Sequence, residues 1–148
     1  MAKRCPRTVA GTVLALVLLA AACGPTPAAT SPATTLPVGA RNVDGYTDIT
    51  VSQLAAMLPD KDFTFVNVHV PYEGEIAQTD QFLPFDQITD QLDKLPAKDA
   101  PIVLYCRSGR MSTEAAAKLA KLGYTHVMEL DGGFNAWKAE GHELQVKQ

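Results

Sequence analysis

The sequence predicts an α/β fold in which a mostly parallel sheet of about five strands is flanked by helices on both faces. From about residue 44 onward, short runs rich in β-branched and aliphatic residues alternate with segments of helical spacing. This alternation is typical of parallel strands joined by helical crossovers. Some of the runs are apolar throughout, as expected of strands buried on both faces. A single domain is therefore predicted over residues 44–148.

The boundaries of several elements are marked by capping and terminating residues. Thr50 and Gln53 form a capping-box pattern at the start of the first helix, and Pro59 ends it. Gly123 ends the alanine-rich helix, whose Ala116, Leu119, Ala120 and Leu122 are predicted to face the sheet. The predicted strands are 46–49, 63–68, 81–84, 102–105 and 126–130. The predicted helices are 50–58, 88–95, 112–122 and 134–139.

The acidic side chains scattered along the chain are interpreted as solvated, and His126 and His142 are interpreted as structural or surface residues. Residues 69–80 are polar and predict a long surface loop, whose part from His69 to Gln78 would suit partner binding. His69, Glu73 and Glu75 are not interpreted as metal ligands, because no cysteine or second histidine is near. The scattered acids are assigned to the surface, and Asp131 is predicted to cap the turn before the last helix.

The first residues are predicted to be a signal peptide, residues 1–22. Three basic residues precede an apolar stretch, 9–22, that is short for a membrane span, which needs about 20 apolar residues. The stretch ends in small residues before Cys23 and resembles a bacterial lipoprotein lipobox, although Ala20 stands where leucine is usual. That resemblance implies cleavage before Cys23, its lipidation, and a membrane-anchored protein outside the cytoplasm. The alternative is an ordinary cleaved signal and a secreted or periplasmic protein.

Residues 23–43 are rich in Pro, Ala and Thr and predict a flexible tether. The whole chain has 13 basic and 16 acidic residues, and cleavage at residue 22 removes three basic residues and no acidic one. The mature chain would then have 10 basic and 16 acidic residues, a net charge of −6. An acidic surface argues against nucleic acid or an anionic lipid surface as a partner. The protein is expected to be a monomer.

Cys106 is the single cysteine of the predicted folded domain, and its surroundings favour a reactive thiolate. It follows the apolar strand 102–105 and precedes a helix, so free backbone N–H groups and the positive helix end face it. Nearby arginines add positive charge, which also favours the ionised sulfur. The predicted nucleophile is Cys106. The predicted substrate-binding residues are Arg107, Ser108, Gly109, Arg110, Met111 and Ser112.

Three motifs lie in order within residues 100–142. They are Cys106-Arg107-Ser108-Gly109-Arg110, then Leu122-Gly123-Tyr124, and then Leu130-Asp131-Gly132-Gly133-Phe134-Asn135-Ala136-Trp137 followed by Gly141. Through these motifs the segment resembles a rhodanese domain. The N-terminal half departs from the family pattern. Where many rhodaneses have Asp-Val-Arg, this chain has Asn67-Val68-His69, and Gly74-Glu75-Ile76 lacks the usual Pro-Gly-Ala continuation.

The resemblance implies a sulfurtransferase. The Cys106 thiolate would take the outer sulfur of a small sulfur-containing anion such as thiosulfate, and a thiol or cyanide would accept it from the persulfide. Backbone N–H groups of the loop suit a persulfide anion, and Gly109 lets the loop curl tightly. Arg110 is predicted to bind the donor anion, whereas Arg107 either does the same or faces solvent. The reaction requires no cofactor and no metal.

Two other functions compete with sulfur transfer. Tyrosine phosphatases also hold an anion over a cysteine, but their signature has an arginine six residues after it, where this chain has Ser112. A phosphatase of that type is not expected. The other alternative is a catalytically silent rhodanese-like module that binds a partner at the cell envelope. Cys106 with two neighbouring arginines favours an enzyme over that module.

Overall fold

A parallel sheet of five strands organises the described part of the chain, residues 39–146 of a computed structural model. The strand order is β1-β5-β4-β2-β3, and every adjacent pair is parallel. The strands are β1 (Thr47–Ile49), β2 (Thr64–Asn67), β3 (Gln81–Phe82), β4 (Ile102–Tyr105) and β5 (Val127–Leu130). The α-helices are α1 (Val51–Met57), α2 (Arg110–Lys121) and α3 (Gly133–Ala139). The predicted fold class is confirmed.

Strand β4 lies at the centre of the sheet and is completely buried. Its side chains alternate between the two faces, as in any strand. Ile102 and Leu104 pack in one apolar core, and Val103 and Tyr105 pack in the other. The chain segment that follows β4 therefore emerges at the centre of the sheet's carboxyl edge, where sites in such folds are found.

Helices cover both faces of the sheet. Ala115, Ala116 and Leu119 of α2 are buried in the core that contains Leu104. Helices α1 and α3 bury their apolar residues in the opposite core, with Val103 and Tyr105. Helix α2 directly follows the Cys106 loop in the chain, so the first turn of α2 can take part in the site.

The predicted capping box at α1 is confirmed. Gln53 N–H donates to Thr50 Oγ1 at 3.2 Å, and Thr50 N–H donates to Gln53 Oε1 at 2.8 Å. Both bonds satisfy N–H groups that an uncapped helix end would leave without partners. The helix ends at Met57 and a 3-10 turn, Leu58–Asp60, follows it and contains Pro59.

Three local predictions were wrong. Helix α2 begins at Arg110, two residues earlier than predicted, and Leu122 lies beyond its last turn and is 39% exposed. Residues Ile88–Lys94 form 3-10 turns instead of an α-helix, because the backbone of Gln91 is not helical. Asp131 does not cap α3, because the N-cap residue of α3 is Gly132, which provides no side-chain cap.

The segment 69–80 is less exposed than a polar surface loop should be. His69, Glu75, Ile76 and Thr79 are all buried. The hydroxyl of Tyr105 accepts a hydrogen bond from Ile76 N–H at 3.0 Å, and it lies 2.8 Å from Thr79 Oγ1. These bonds hold the segment against the end of β4, so the prediction of a solvated loop was wrong.

The predicted signal peptide 1–22, Cys23 and residues 23–38 of the predicted tether lie outside the described residues. Among residues 39–146, no helix combines the length and the apolar character that crossing a membrane requires.

Candidate active site

Cys106 sits in the tight connection between β4 and α2. Cys106 is 1% exposed and belongs to the apolar core that also contains Leu104 and Ala116. The loop turns sharply at Gly109, whose φ of +92° is a conformation that side chains with a Cβ rarely adopt. Because α2 begins at Arg110, the unpaired N–H groups of its first turn lie in the same loop as the cysteine. Cys106 and the first turn of α2 are therefore close together.

A small cavity of about 50 Å³ opens over Cys106. Its lining consists of His69, Cys106, Arg107, Ser108, Arg110 and Met111. Since a water-sized group needs roughly 10–15 Å³ of such volume, the cavity has room for only a few heavy atoms. It suits the head of a small anion or one additional sulfur on Cys106. Five of the seven residues predicted for the site line it.

The two arginines of the loop have different partners. The Arg107 guanidinium donates to Glu73 Oε1 at 2.9 Å, so its charge is paired. Arg110 is exposed and forms no ion pair with any residue between 39 and 146. Arg110 is thus the charged group of the cavity that is available to an anion.

Asn67, the last residue of β2, holds the opposite wall of the cavity. Its side-chain Oδ1 accepts from His69 N–H at 3.0 Å, and its Nδ2 donates to the Gly74 carbonyl at 3.0 Å. One amide therefore fixes both ends of the turn that carries His69 and Glu73. The sheet register pairs Asn67 with Tyr105, which places this turn beside Cys106.

The Gly132-Gly133 turn brings the start of α3 into contact with the backbone of the Cys106 loop. Phe134 N–H donates to the Cys106 carbonyl at 2.9 Å, and Asn135 N–H donates to the Arg107 carbonyl at 3.0 Å. A Cβ on Gly133 would lie 2.2 Å from the Cys106 carbonyl oxygen, closer than any real contact. The glycine pair of the sequence motif thus allows α3 to approach the backbone of the loop directly.

Ser112 and Glu129 form a buried polar pair beneath the sulfur. The Ser112 hydroxyl lies 3.3 Å from Cys106 Sγ, 3.0 Å from the Gly109 carbonyl oxygen and 2.5 Å from Glu129 Oε1. Burial raises the pKa of Glu129 to about 7; the Ser112 hydrogen bond lowers it, and the charges of Asp48 and Asp131 raise it. The carboxyl group is therefore partly protonated at neutral pH.

The protonation state of Glu129 decides where the Ser112 hydrogen points. A hydroxyl carries one hydrogen and two acceptor lone pairs. A protonated Glu129 donates to Ser112 and leaves the Ser112 hydrogen for Cys106 Sγ or the Gly109 carbonyl. An ionised Glu129 accepts that hydrogen itself, and Cys106 then loses one donor.

Comparison with known families identifies the domain. The model of the rhodanese-like domain matches residues 39–140, which is well over half of the chain. This chain belongs to the rhodanese-like domain family. The resemblance of residues 100–142 to a rhodanese therefore extends over the whole described sheet.

Several individual proteins are similar to this rhodanese-like domain. A sulfurtransferase of Allochromatium vinosum is 37% identical over 98 residues, covering 64% of this chain and 90% of the relative. A tRNA uridine(34) hydroxylase of Erwinia tasmaniensis is 32% identical over 111 residues, covering 70% of this chain but only 31% of the hydroxylase. The chain thus spans about a third of the hydroxylase's length.

Solved structures agree with the family and the fold. A rhodanese-related protein of Thermoplasma volcanium superposes with a TM-score of 0.61 at 25% identity, covering 69% of this chain and 100% of that one. A rhodanese-like domain protein of Staphylococcus aureus gives 0.59 at 27% identity, covering 68% and 98%.

Sequence reasoning missed three side chains of this rhodanese-like site. His69 and Glu73 come from the segment after β2, and Glu129 comes from β5. The prediction that the scattered acids are solvated was wrong for Glu129 and Glu75, which are 2% and 3% exposed. A charged residue inside the apolar run 127–130 was a signal for Glu129. The position of His69 directly after a strand was a signal too, because the carboxyl ends of parallel strands meet at one edge.

Replacing Glu129 with glutamine is expected to remove a pH dependence of stability from the domain. The folded-state pKa of about 7 lies above the ordinary 4.5, so the folded state binds this proton more tightly than the unfolded state. As pH rises from 4.5 to about 7, the contribution of Glu129 to the free energy of unfolding therefore falls by roughly 3 kcal/mol. E129Q lacks the effect and is expected to gain stability relative to the wild type at higher pH.

Urea denaturation of both proteins at about pH 5 and about pH 8 measures this difference. All other carboxyl groups are common to both proteins. A change with pH in the stability difference between E129Q and the wild type therefore reports on Glu129 alone. An equal difference at both pH values would contradict the raised pKa.

Proposed function

We propose that this rhodanese-like domain is a sulfurtransferase that carries sulfane sulfur on Cys106. The observation that carries the proposal is the arrangement over the sulfur. A buried cysteine opens into a cavity of about 50 Å³ beside Arg110, which has no ion-pair partner among residues 39–146. Such a cavity fits one additional sulfur on Cys106 and the oxygens of a small donor anion. The sulfurtransferase of Allochromatium vinosum, 90% of whose length this chain matches, supports the same activity.

In the proposed first step, the Cys106 thiolate attacks the outer sulfur of thiosulfate. A new bond forms between Cys106 Sγ and the outer sulfur. The sulfur–sulfur bond of thiosulfate breaks, and its electron pair leaves with sulfite. Charge balances because a thiolate and a dianion become a persulfide anion and a dianion. Ser112 and the N–H groups of the first turn of α2 would stabilise the negative sulfur.

The second half of the proposed reaction is transfer of the outer sulfur to a thiol or to cyanide, which regenerates the Cys106 thiolate. Hydroxylation of tRNA is not part of the proposal. The relatives named for it are about three times as long as the matched region, so most of each hydroxylase has no counterpart here.

Mass spectrometry of the intact protein tests the proposal. After incubation with thiosulfate and removal of excess reagent, the protein should carry one added sulfur, located on the peptide that contains Cys106. A thiol reductant should remove it. If the mass does not change, the proposed activity is wrong, and the second candidate, a catalytically silent module that binds a partner, takes its place.

Replacing Arg110 with alanine is expected to reduce kcat/KM for thiosulfate more than replacing Arg107. Removal of a charge-assisted hydrogen bond costs on the order of 1.5–3 kcal/mol, which corresponds to roughly ten- to a hundredfold. R107A is the matched control, because the Arg107 charge is already paired with Glu73. The measurement is steady-state kinetics with thiosulfate as the varied substrate. The opposite order would assign donor binding to Arg107.

We also propose that the domain is held at the outer face of the membrane through a lipid on Cys23. The signal-like stretch that ends in small residues before Cys23 supports the anchor. Stable attachment of this kind needs more than one acyl chain. Cell fractionation tests it: the wild type should be in the membrane fraction, and C23S should be released. A soluble wild type would mean that the segment is an ordinary cleaved signal.

A further inference from the structure

His69 is a buried histidine whose ring lacks hydrogen-bond partners within the described residues. It is 2% exposed, and neither Nδ1 nor Nε2 forms a hydrogen bond. Burying an unsatisfied polar group costs free energy, so such groups are rare in native structures and call for an explanation. A side chain whose polar atoms serve a ligand provides one.

The His69 ring lines the cavity over Cys106. Its orientation is fixed by the Asn67 amide, which binds its backbone, and by an edge-to-face contact with Phe134, whose ring centre is 5.4 Å away. The arginines of the lining are permanently protonated and cannot accept a proton. An imidazole ring nitrogen, in contrast, can accept a proton and return it.

We propose that His69 is a catalytic residue for the second half of the reaction. There it deprotonates the thiol that accepts the sulfur held on Cys106. This inference rests on the proposed sulfurtransferase function and names the acceptor class for the same site. A thiol has an ordinary pKa of about 8.5 and is mostly protonated at neutral pH, whereas the thiolate is the nucleophile. In the proposed step the acceptor thiol gives this proton to the His69 imidazole inside the cavity.

The step balances without any other reagent. The imidazole takes the proton from the acceptor thiol, and the acceptor sulfur bonds to the outer sulfur of the persulfide anion. The bond between that outer sulfur and Cys106 Sγ breaks, and its electron pair stays on Sγ. The imidazolium then gives its proton to the transferred sulfur. A thiol and a persulfide anion have become a new persulfide and the Cys106 thiolate.

Glu73 stabilises the imidazolium that this step requires. Its Oε2 lies 3.5 Å from His69 Nε2, at ion-pair distance but without hydrogen-bond geometry, and its Oε1 accepts from Arg107 at 2.9 Å. Beside Glu73 and its partner Arg107, the cavity lining around the ring contains Arg110 and Cys106. At 3.5 Å, the Glu73 carboxylate attracts the imidazolium that forms during the step.

Discharge of the persulfide to two acceptors separates this role from a structural one. Purified wild type, H69Q and H126Q are loaded with thiosulfate, freed of excess donor, weighed, and mixed with 2-mercaptoethanol or with sulfite. Sulfite attacks with a lone pair on sulfur and gives up no proton, so it needs no base. H126Q is the matched control, because His126 is exposed at the opposite end of the sheet.

H69Q is expected to discharge to 2-mercaptoethanol on the order of a hundredfold more slowly, with discharge to sulfite changed by less than about threefold. H126Q should behave as the wild type with both acceptors. Equal losses with both acceptors would assign His69 a structural role, and an unchanged rate with the thiol would remove it from the reaction; either result overturns the inference. A wild type that acquires no sulfur instead overturns the proposed function itself.

Two measurements keep the inference testable if H69Q folds poorly. In the wild type, discharge to 2-mercaptoethanol should be slower in deuterated water, and discharge to sulfite should not. In H69A, imidazole added to the buffer should restore discharge to the thiol. Absence of both effects would also overturn the role of His69.

Discussion

C106S is expected to form no persulfide with thiosulfate and to transfer no sulfur above the uncatalysed rate. A serine hydroxyl is not ionised near neutral pH, and an alcohol oxygen does not hold a sulfane sulfur. The loss should therefore be complete, unlike the partial losses expected from the residues that bind the donor or move a proton. Intact mass after thiosulfate treatment measures persulfide formation, and turnover with a thiol acceptor measures sulfur transfer.

The fold should survive this substitution, because serine is similar in size to cysteine and Ser112 Oγ, 3.3 Å from the sulfur, can pair with a new hydroxyl. A thermal midpoint close to that of the wild type would show that the loss is chemical. Purified C23S is the matched control, since it also exchanges a cysteine for serine and should retain full transfer. Transfer by C106S, or its loss in C23S, would contradict Cys106 as the carrier.

The part of the site that is contiguous in sequence could be predicted. Cys106, its arginines, Gly109 and Ser112 lie in one connection between β4 and α2, so a local pattern identifies them together. The central position of β4 was also predictable, because it is the most uniformly apolar of the candidate strands. The start of α2 was not, because Arg110 and Met111 carry no capping signal before them.

The rest of the site depends on strand register, which local patterns do not specify. The register pairs Leu104 with Glu129, and directly paired residues point to the same face of a sheet. Glu129 therefore lies on the α2 face, within reach of Ser112. On the other side of β4, Asn67 pairs with Tyr105, so the turn after β2 reaches Cys106. From the sequence alone, residues 127–130 look like an ordinary strand and residues 69–80 look like an ordinary polar loop.

Two residues that depart from the family pattern, Asn67 and His69, lie at the end of β2 and just after it. His69 stands at the position of the arginine in the Asp-Val-Arg stretch of many rhodaneses, and Asn67 stands at the position of the aspartate. In this chain the Asn67 amide uses both its oxygen and its nitrogen to shape the turn. An aspartate cannot donate to the Gly74 carbonyl, because an ionised carboxylate only accepts. The two changes therefore concern one wall of the cavity over Cys106.

Replacing Gly133 with alanine is expected to destabilise the domain and to distort the cysteine loop. The new Cβ would meet the Cys106 carbonyl oxygen at 2.2 Å and the Arg107 carbonyl carbon at 2.8 Å, both of them backbone atoms that cannot rotate away. The φ of +57° adds about 1–2 kcal/mol for a residue with a Cβ, and overpacking adds about 1–3 kcal/mol. The free energy of unfolding should fall by roughly 2–5 kcal/mol.

Gly141 provides the matched control for this substitution. Its φ is +89°, but nothing lies within 4 Å of a Cβ built there. G141A should therefore show the backbone cost alone, about 1–2 kcal/mol, and normal persulfide formation. G133A should lose more stability in urea denaturation and should also form persulfide poorly while still folded, because relief of the clash breaks the hydrogen bonds from Phe134 and Asn135 to the loop. Equal effects of the two alanines on stability and on persulfide formation would mean that contact between α3 and the loop does not position Cys106.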